Sequence, residues 1–115
     1  MSGFLEVNEE LKEAVKSYEL KMFEFDAAIF EHLKAEAMYE NELAKNFQML
    51  KLEYSEATVK DIDSMAKMAT YDNYRLPLVV KESSYRSLKN AIEVLKAKIE
   101  VYREISFNLR SERKI

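Results

Sequence analysis

The chain has no cysteine and no tryptophan, and only one glycine, one proline and one histidine in 115 residues. Without cysteine there is no disulfide framework, no thiolate metal site and no thiol nucleophile, a usage that fits a reducing cytoplasm. Gly3 and Pro77 are the only residues of their kinds, and none lies between them. That scarcity argues against a sheet-rich fold, whose turns draw on both. The start, Met1-Ser2-Gly3-Phe4-Leu5-Glu6, lacks the basic and apolar regions of a signal peptide. No run approaches the roughly 18 apolar residues of a membrane span, so no membrane partner is expected. One histidine, one glycine and no cysteine also leave out the parts of most nucleophilic or phosphate-cradling sites. The expectation is a single non-enzymatic domain without cofactor or metal.

What is present is helical pattern and charge. Leu11, Val15, Tyr18, Met22, Phe25 and Ile29 recur at steps of four and three, a heptad seam. The pattern predicts a first long helix over residues 8–55, with Asn8 as N-cap and Glu9 and Glu10 in its first turn. Past Ile29 the seam meets His32 and Glu36, and the stripe is expected to drift onto Leu33, Ala37, Leu43, Phe47, Leu50 and Tyr54. Thr58-Val59-Lys60-Asp61 reads as a capping box with Asp in place of Glu. Val59, Ile62, Met65 and Ala69 then predict a short helix over 59–70. Tyr71 to Tyr74 has turn composition, and Pro77 suits the first turn of a last helix over 77–112. In that helix Tyr85, Leu88, Ile92, Leu95, Ile99, Tyr102 and Leu109 form a strict a/d seam. The expected fold is all-α: a long antiparallel, coiled-coil-like hairpin with a short middle helix and a bend from Tyr71 to Pro77. Two long amphipathic helices and one short one enclose little core, so a homo-oligomer is expected, with Leu88, Ile92, Leu95, Ile99 and Tyr102 at its interface.

Charge is unevenly placed. Residues 1–58 carry 13 acids and 6 bases, whereas residues 59–115 carry 8 acids and 12 bases, including all five arginines. Lys89, Lys96, Arg103 and Arg110 repeat every seven residues along one edge of the last seam. Two readings stand. The row pairs with Glu19, Asp26 and Glu40 of the first helix, or it contacts the phosphates of a polyanion. Arg75, Lys81, Arg86, Arg113 and Lys114 have no acids in register on the first helix for all of them. Tyr71 and Tyr74, among those bases near Pro77, suit either a hinge or a stacking surface for a single strand. His32, Glu36 and Glu40 share one helix face, but a di-iron bundle needs Glu three residues before His, and Ile29 stands there. Their simpler role is a polar break in the seam that sets register.

Leu50-Lys51-Leu52-Glu53-Tyr54-Ser55 at the end of the first helix, the short middle element, and the Tyr, Ile and Arg spacing from Ser84-Tyr85 through Ile92, Ile99 and Arg103 to Phe107 resemble the small helical recombination mediators of T-even-like phages, the UvsY type. The likeness covers about residues 40–112. Only Lys51 stands in the normally more basic stretch, and Glu56 replaces the family's glycine. The resemblance implies an oligomer in the host cytoplasm that binds single-stranded DNA and assists a recombinase or replication partner. Candidate DNA contacts are Lys51, Tyr71, Tyr74, Arg75, Lys81, Arg86, Lys89, Lys96, Arg103 and Arg110. The alternative is a helical interaction module, a phage-encoded inhibitor or adaptor acting through its acidic first helix.

Overall fold

The structure, a computed structural model, describes residues 3–113. The fold is an all-α helical hairpin, with no strand among the described residues. Helix α1 runs Phe4–Glu53, and the chain reverses through Tyr54 to Thr58. Helix α2 (Val59–Thr70) passes through a π-helical turn (Tyr71–Arg75) directly into α3 (Leu76–Arg113). Two compact units divide the chain, one of residues 1–26 with 86–115 and the other of residues 27–85.

The reversal therefore lies at 54–58, and the expected bend at Tyr71 to Pro77 is helical throughout. Thr58 starts α2 from an extended backbone, and its Oγ1 accepts from the Asp61 N–H at 3.1 Å, the forward half of the capping box. Tyr54 N donates to Leu50 O at 2.8 Å and Ala57 N to Tyr54 O at 3.1 Å, which closes α1 without a glycine. At the other end α1 begins before Asn8, with Val7 N donating to Gly3 O at 3.0 Å. Asn8 is consequently inside the helix rather than at its cap.

Why the second arm stays helical follows from two constraints at one place. Pro77 lacks an N–H, and in an α-helix its ring collides with the carbonyl four residues back, on Asn73. The inward residues meanwhile are Ile62, Ala66, Thr70, half-buried Tyr74 and Leu78, all four apart. Over the 16 residues from Ile62 to Leu78 an α-helix overshoots four whole turns by about 160°, which carries Leu78 off the buried face. One extra residue in a turn removes about 100° of that. The π turn supplies it: the Leu76 N–H reaches back five residues to Tyr71 O. The Tyr71 N–H bonds Met68 O, and the buried Thr70 hydroxyl donates to Ala66 O at 2.6 Å, so carbonyls at the irregular turn keep partners. The expected stripe Val59, Met65, Ala69 is displaced accordingly; Val59 and Ala69 are exposed and Met65 is half-buried.

In the unit of residues 1–26 and 86–115, α1 and α3 run antiparallel. Val7, Ala14, Ile92 and Ile99 are buried, with Leu11, Val15, Tyr18, Leu95 and Tyr102 half-buried beside them. Full burial of an isoleucine contributes roughly 1.5–3 kcal/mol, so Ile92 and Ile99 anchor this pairing. Ser106 Oγ donates to Asn8 Oδ1 at 2.9 Å across the pair. Ser106 is buried, so a slip along the seam strands its hydroxyl, at a cost of about 1–3 kcal/mol. The seam of α3 thus faces α1 of the same chain. Ile92 and Ile99, expected at an oligomer interface with Leu88, Leu95 and Tyr102, are instead intrachain core.

In the unit of residues 27–85, α1 does not drift onto Leu33 and Ala37, which are exposed. Ile29, His32, Glu36, Tyr39, Leu43, Phe47 and Leu50 are half-buried and keep the three-four spacing through the polar pair. His32 stays inward because its ring packs on Tyr85, with centroids 4.8 Å apart, while Nδ1 lies 4.0 Å from a Glu36 carboxylate oxygen.

Deletion of Asn73 together with Pro77→Ala, which removes the ring that an α turn would clash with, is expected to convert the π turn to α-helix and leave the buried phase intact, so the variant should melt within about 5 °C of the parent by circular dichroism. Deletion of Ser83, in regular helix, rotates everything beyond it by about 100° and should abolish the cooperative transition. Equal melts for the two deletions would refute the phase argument.

Candidate nucleic-acid interface

The heptad row of cations lies on α3 within the unit of residues 1–26 and 86–115. Lys89, Lys96, Arg103 and Arg110 are all exposed, about 10 Å apart along the axis at 1.5 Å per residue. Among the described residues, Lys89, Lys96 and Arg103 make no ion pair and no side-chain hydrogen bond. The guanidinium of Arg110 stands 5.9 Å from the centre of the Phe4 ring. Among the described residues none of the four pairs with Glu19 or Asp26 of the same unit, and Glu40 belongs to the unit of residues 27–85. Several acids of α1 instead bond to lysines three residues away on their own helix: Glu9 to Lys12 at 3.7 Å, Glu24 to Lys21 at 3.1 Å and Glu42 to Lys45 at 3.3 Å. Such local pairs require no second helix.

Beside the row lies an open groove of about 330 Å³ lined by Val15, Tyr18 and Glu19 of α1 and Lys96, Ile99, Glu100 and Arg103 of α3. Its walls come from the flank of the seam, so Tyr18 is half-buried there and Ile99 closes the floor. Sequence reading took Tyr18 for seam and nothing more. The signal that could have found the groove is the placement of Lys96, Glu100 and Arg103 around Ile99 within one two-turn stretch.

The other predicted contacts lie in the unit of residues 27–85, except Arg86. Tyr71 is 50% exposed and shares a shallow recess of about 350 Å³ with Lys67, Met68 and Asp72. Tyr74 is half-buried on the inward face of the π turn, which leaves it poorly placed for stacking. Arg75 is half-buried, its guanidinium 5.4 Å from the Tyr39 ring centre, a cation–π contact between the two arms. Lys81 is exposed, and Lys51 is exposed in the last turn of α1 next to the reversal. Leu52 and Tyr54 beside it are 83% and 45% exposed, so the stretch that resembles the mediator family caps the turn of the hairpin. Arg86 is exposed on α3 and has interactions of its own. Lys114 and the Arg113 side chain lie outside the described residues. The structure thus gathers the heptad row on one edge and does not bring Tyr71, Tyr74 and Arg75 to a common outward face.

Among the described residues no three His, Asp or Glu side chains form a metal-binding group, and no helix is long and apolar enough to cross a membrane. No protein-family model, curated protein or solved structure matches the chain.

Lys67 donates to Asp63 at 2.9 Å on the surface of α2, and that hydrogen bond, with the attraction of the carboxylate, raises the lysine above its ordinary value of 10.5. A raised folded value means the contribution is complete below 10.5 and fades only as pH climbs through the folded value. Near neutrality the contribution of this pair is therefore constant with pH. Asp63→Asn is expected to lower the Lys67 titration midpoint, followed by NMR of its Nζ; an unchanged midpoint would show that the pair does not persist in solution.

Proposed function

We propose that this chain is a non-enzymatic accessory protein of phage-type DNA recombination or replication that binds single-stranded DNA and works beside a recombinase or replication protein. The observation that carries the reading is the row Lys89, Lys96, Arg103 and Arg110: exposed, evenly spaced, on one edge, with the first three unpaired among the described residues. Cations without an intramolecular partner at three successive heptads support recognition of a regularly repeating anion. A flexible single strand adapts to an edge that a rigid duplex meets at few points. Lys51 and Tyr54 at the turn of the hairpin offer a second cation–aromatic pair of the same chemistry. In this reading the protein resides in the cytoplasm of the host.

Binding should fall with salt at a log–log slope near −2.8 for four single-strand phosphate contacts, at about 0.7 per contact. Lys89→Ala with Lys96→Ala is expected to flatten the slope by about 1.4. A slope unaltered by the double substitution, measured by fluorescence anisotropy, would move the contact elsewhere.

The protein also self-associates in this proposal, through faces other than the α3 seam. In the unit of residues 27–85 the fully buried side chains are Ile62, Ala66, Thr70 and Leu78, whereas Phe30, Leu33, Met49, Leu52, Val59 and Met68 are each more than half exposed. These large apolar side chains stand outside this unit's own packing, and a second copy covers them with matching helices. Phe30→Lys with Leu33→Lys should lower the scattered mass toward a monomer without loss of helicity. A wild type that is already monomeric at micromolar concentration removes this part of the reading.

A second reading is favoured by the exposed acids Glu6, Glu9, Glu10 and Glu13 at the start of α1. They suit a basic surface on a partner protein, in which case the chain is an adaptor or inhibitor. Absence of single-strand binding even at low salt, with a stable complex on such a partner, selects it.

A further inference from the structure

The groove beside the cation row contains two kinds of group that one simple ligand does not need together. Lys96 and Arg103 suit anions, yet Glu19 and Glu100 line the same space. A site for bare phosphate is weakened by two carboxylates, and a site for an apolar ligand has no use for four charges. A nucleotide within a strand needs both. Its phosphates are anionic, while the amino-bearing edge of its base offers N–H donors that a carboxylate accepts.

We propose that the groove receives one base of the bound strand, edge toward Glu19 and Glu100, and selects bases that carry an exocyclic amino group. The proposal rests on the single-strand reading above and gives it a specificity. Val15, Tyr18 and Ile99 supply apolar and aromatic walls, against which a base is held by stacking and exclusion of water. Lys96 and Arg103, about 10 Å apart on α3, hold the phosphates on either side of it. The volume of about 330 Å³ lies at the lower end of small-ligand sites, room for a single base and not for a stacked pair. Cytosine presents its N4 amino group to the carboxylates. Thymine presents a carbonyl oxygen at the same position, which turns an acceptor toward an acceptor. Glu19 and Glu100 are exposed, so their substitution leaves the seam untouched.

The test compares oligo(dC) with oligo(dT) of one length, two pyrimidine strands, by anisotropy at fixed low salt. Oligo(dC) is expected to bind about fivefold or more tightly. Glu19→Gln with Glu100→Gln should bring the two affinities together, because an amide both donates and accepts. Tyr18→Leu should weaken both strands in parallel at unchanged helicity. Equal affinity of the wild type for the two strands overturns the base groove while leaving the DNA reading in place. A preference for oligo(dC) that survives the double glutamine variant overturns it as well, by placing the selection elsewhere. Failure to bind either strand removes the functional reading and this inference with it.

Discussion

A helix returns to the same face every 3.6 residues, and the buried residues of the second arm do not keep that period. Ile62, Ala66, Thr70, Tyr74 and Leu78 are four apart, and an unbroken α-helix would swing Leu78 away from the face that buries Ile62. The π turn at Tyr71–Arg75 resolves the mismatch at the point where Pro77 already forbids an ordinary turn. Two costs thereby fall on one site: the carbonyl that the proline ring would strike is displaced by the same inserted residue that restores the phase. The unbroken second arm, the inward side chain of Tyr74 and the reach of Arg75 to Tyr39 all follow from it.

That constraint also explains which parts of the fold could be read in advance. Steps of three and four are legible wherever large apolar residues occupy them, and so the seams of α1 up to Ile29 and of α3 from Tyr85 onward are where the pattern put them. The region between was harder because its inward positions are held by Ala66, Thr70 and Tyr74, which carry no hydrophobic signal distinct from their neighbours. Proline and a Tyr-Asp-Asn-Tyr stretch then looked like a turn, while the true reversal at 54–58 has neither glycine nor proline. Local propensity yielded to packing at both places. Asn8 misled for a related reason: an asparagine before two glutamates is the signature of a cap, and only its partner 98 residues away, Ser106, explains it inside a helix.

The site was legible to a different extent. Charge period is a property of sequence, so the row at 89, 96, 103 and 110 stands on one edge as read. Whether those cations are neutralised depends on the facing helix, and no one-dimensional pattern decides that. Glutamates on α1 have lysines three residues away and need only a side-chain rotation to reach them, whereas a pair across two helices also requires both arms in exact register. Glu19 and Asp26, the acids expected opposite the row within this unit, make no ion pair with it among the described residues, and its cations stay in solvent.

The same competition bears on what the edge can recognise. An exposed intrahelical pair is worth only a few tenths of a kcal/mol, so Glu9, Glu24 and Glu42 gain little from Lys12, Lys21 and Lys45. The gain is larger in the sign of the field that remains. Each local pair neutralises an acid on α1 itself, and the α3 edge keeps an exposed cation at every heptad. Glu93 and Glu104 are exposed on α3 as well, and at the groove Glu19 and Glu100 stand beside Lys96 and Arg103. A uniform basic edge would hold any polyanion at any register. An acidic notch beside cations, walled by Tyr18 and Ile99, distinguishes the part of the ligand that carries charge from the part that carries hydrogen-bond donors, and a strand of nucleotides has that alternation built into its repeat.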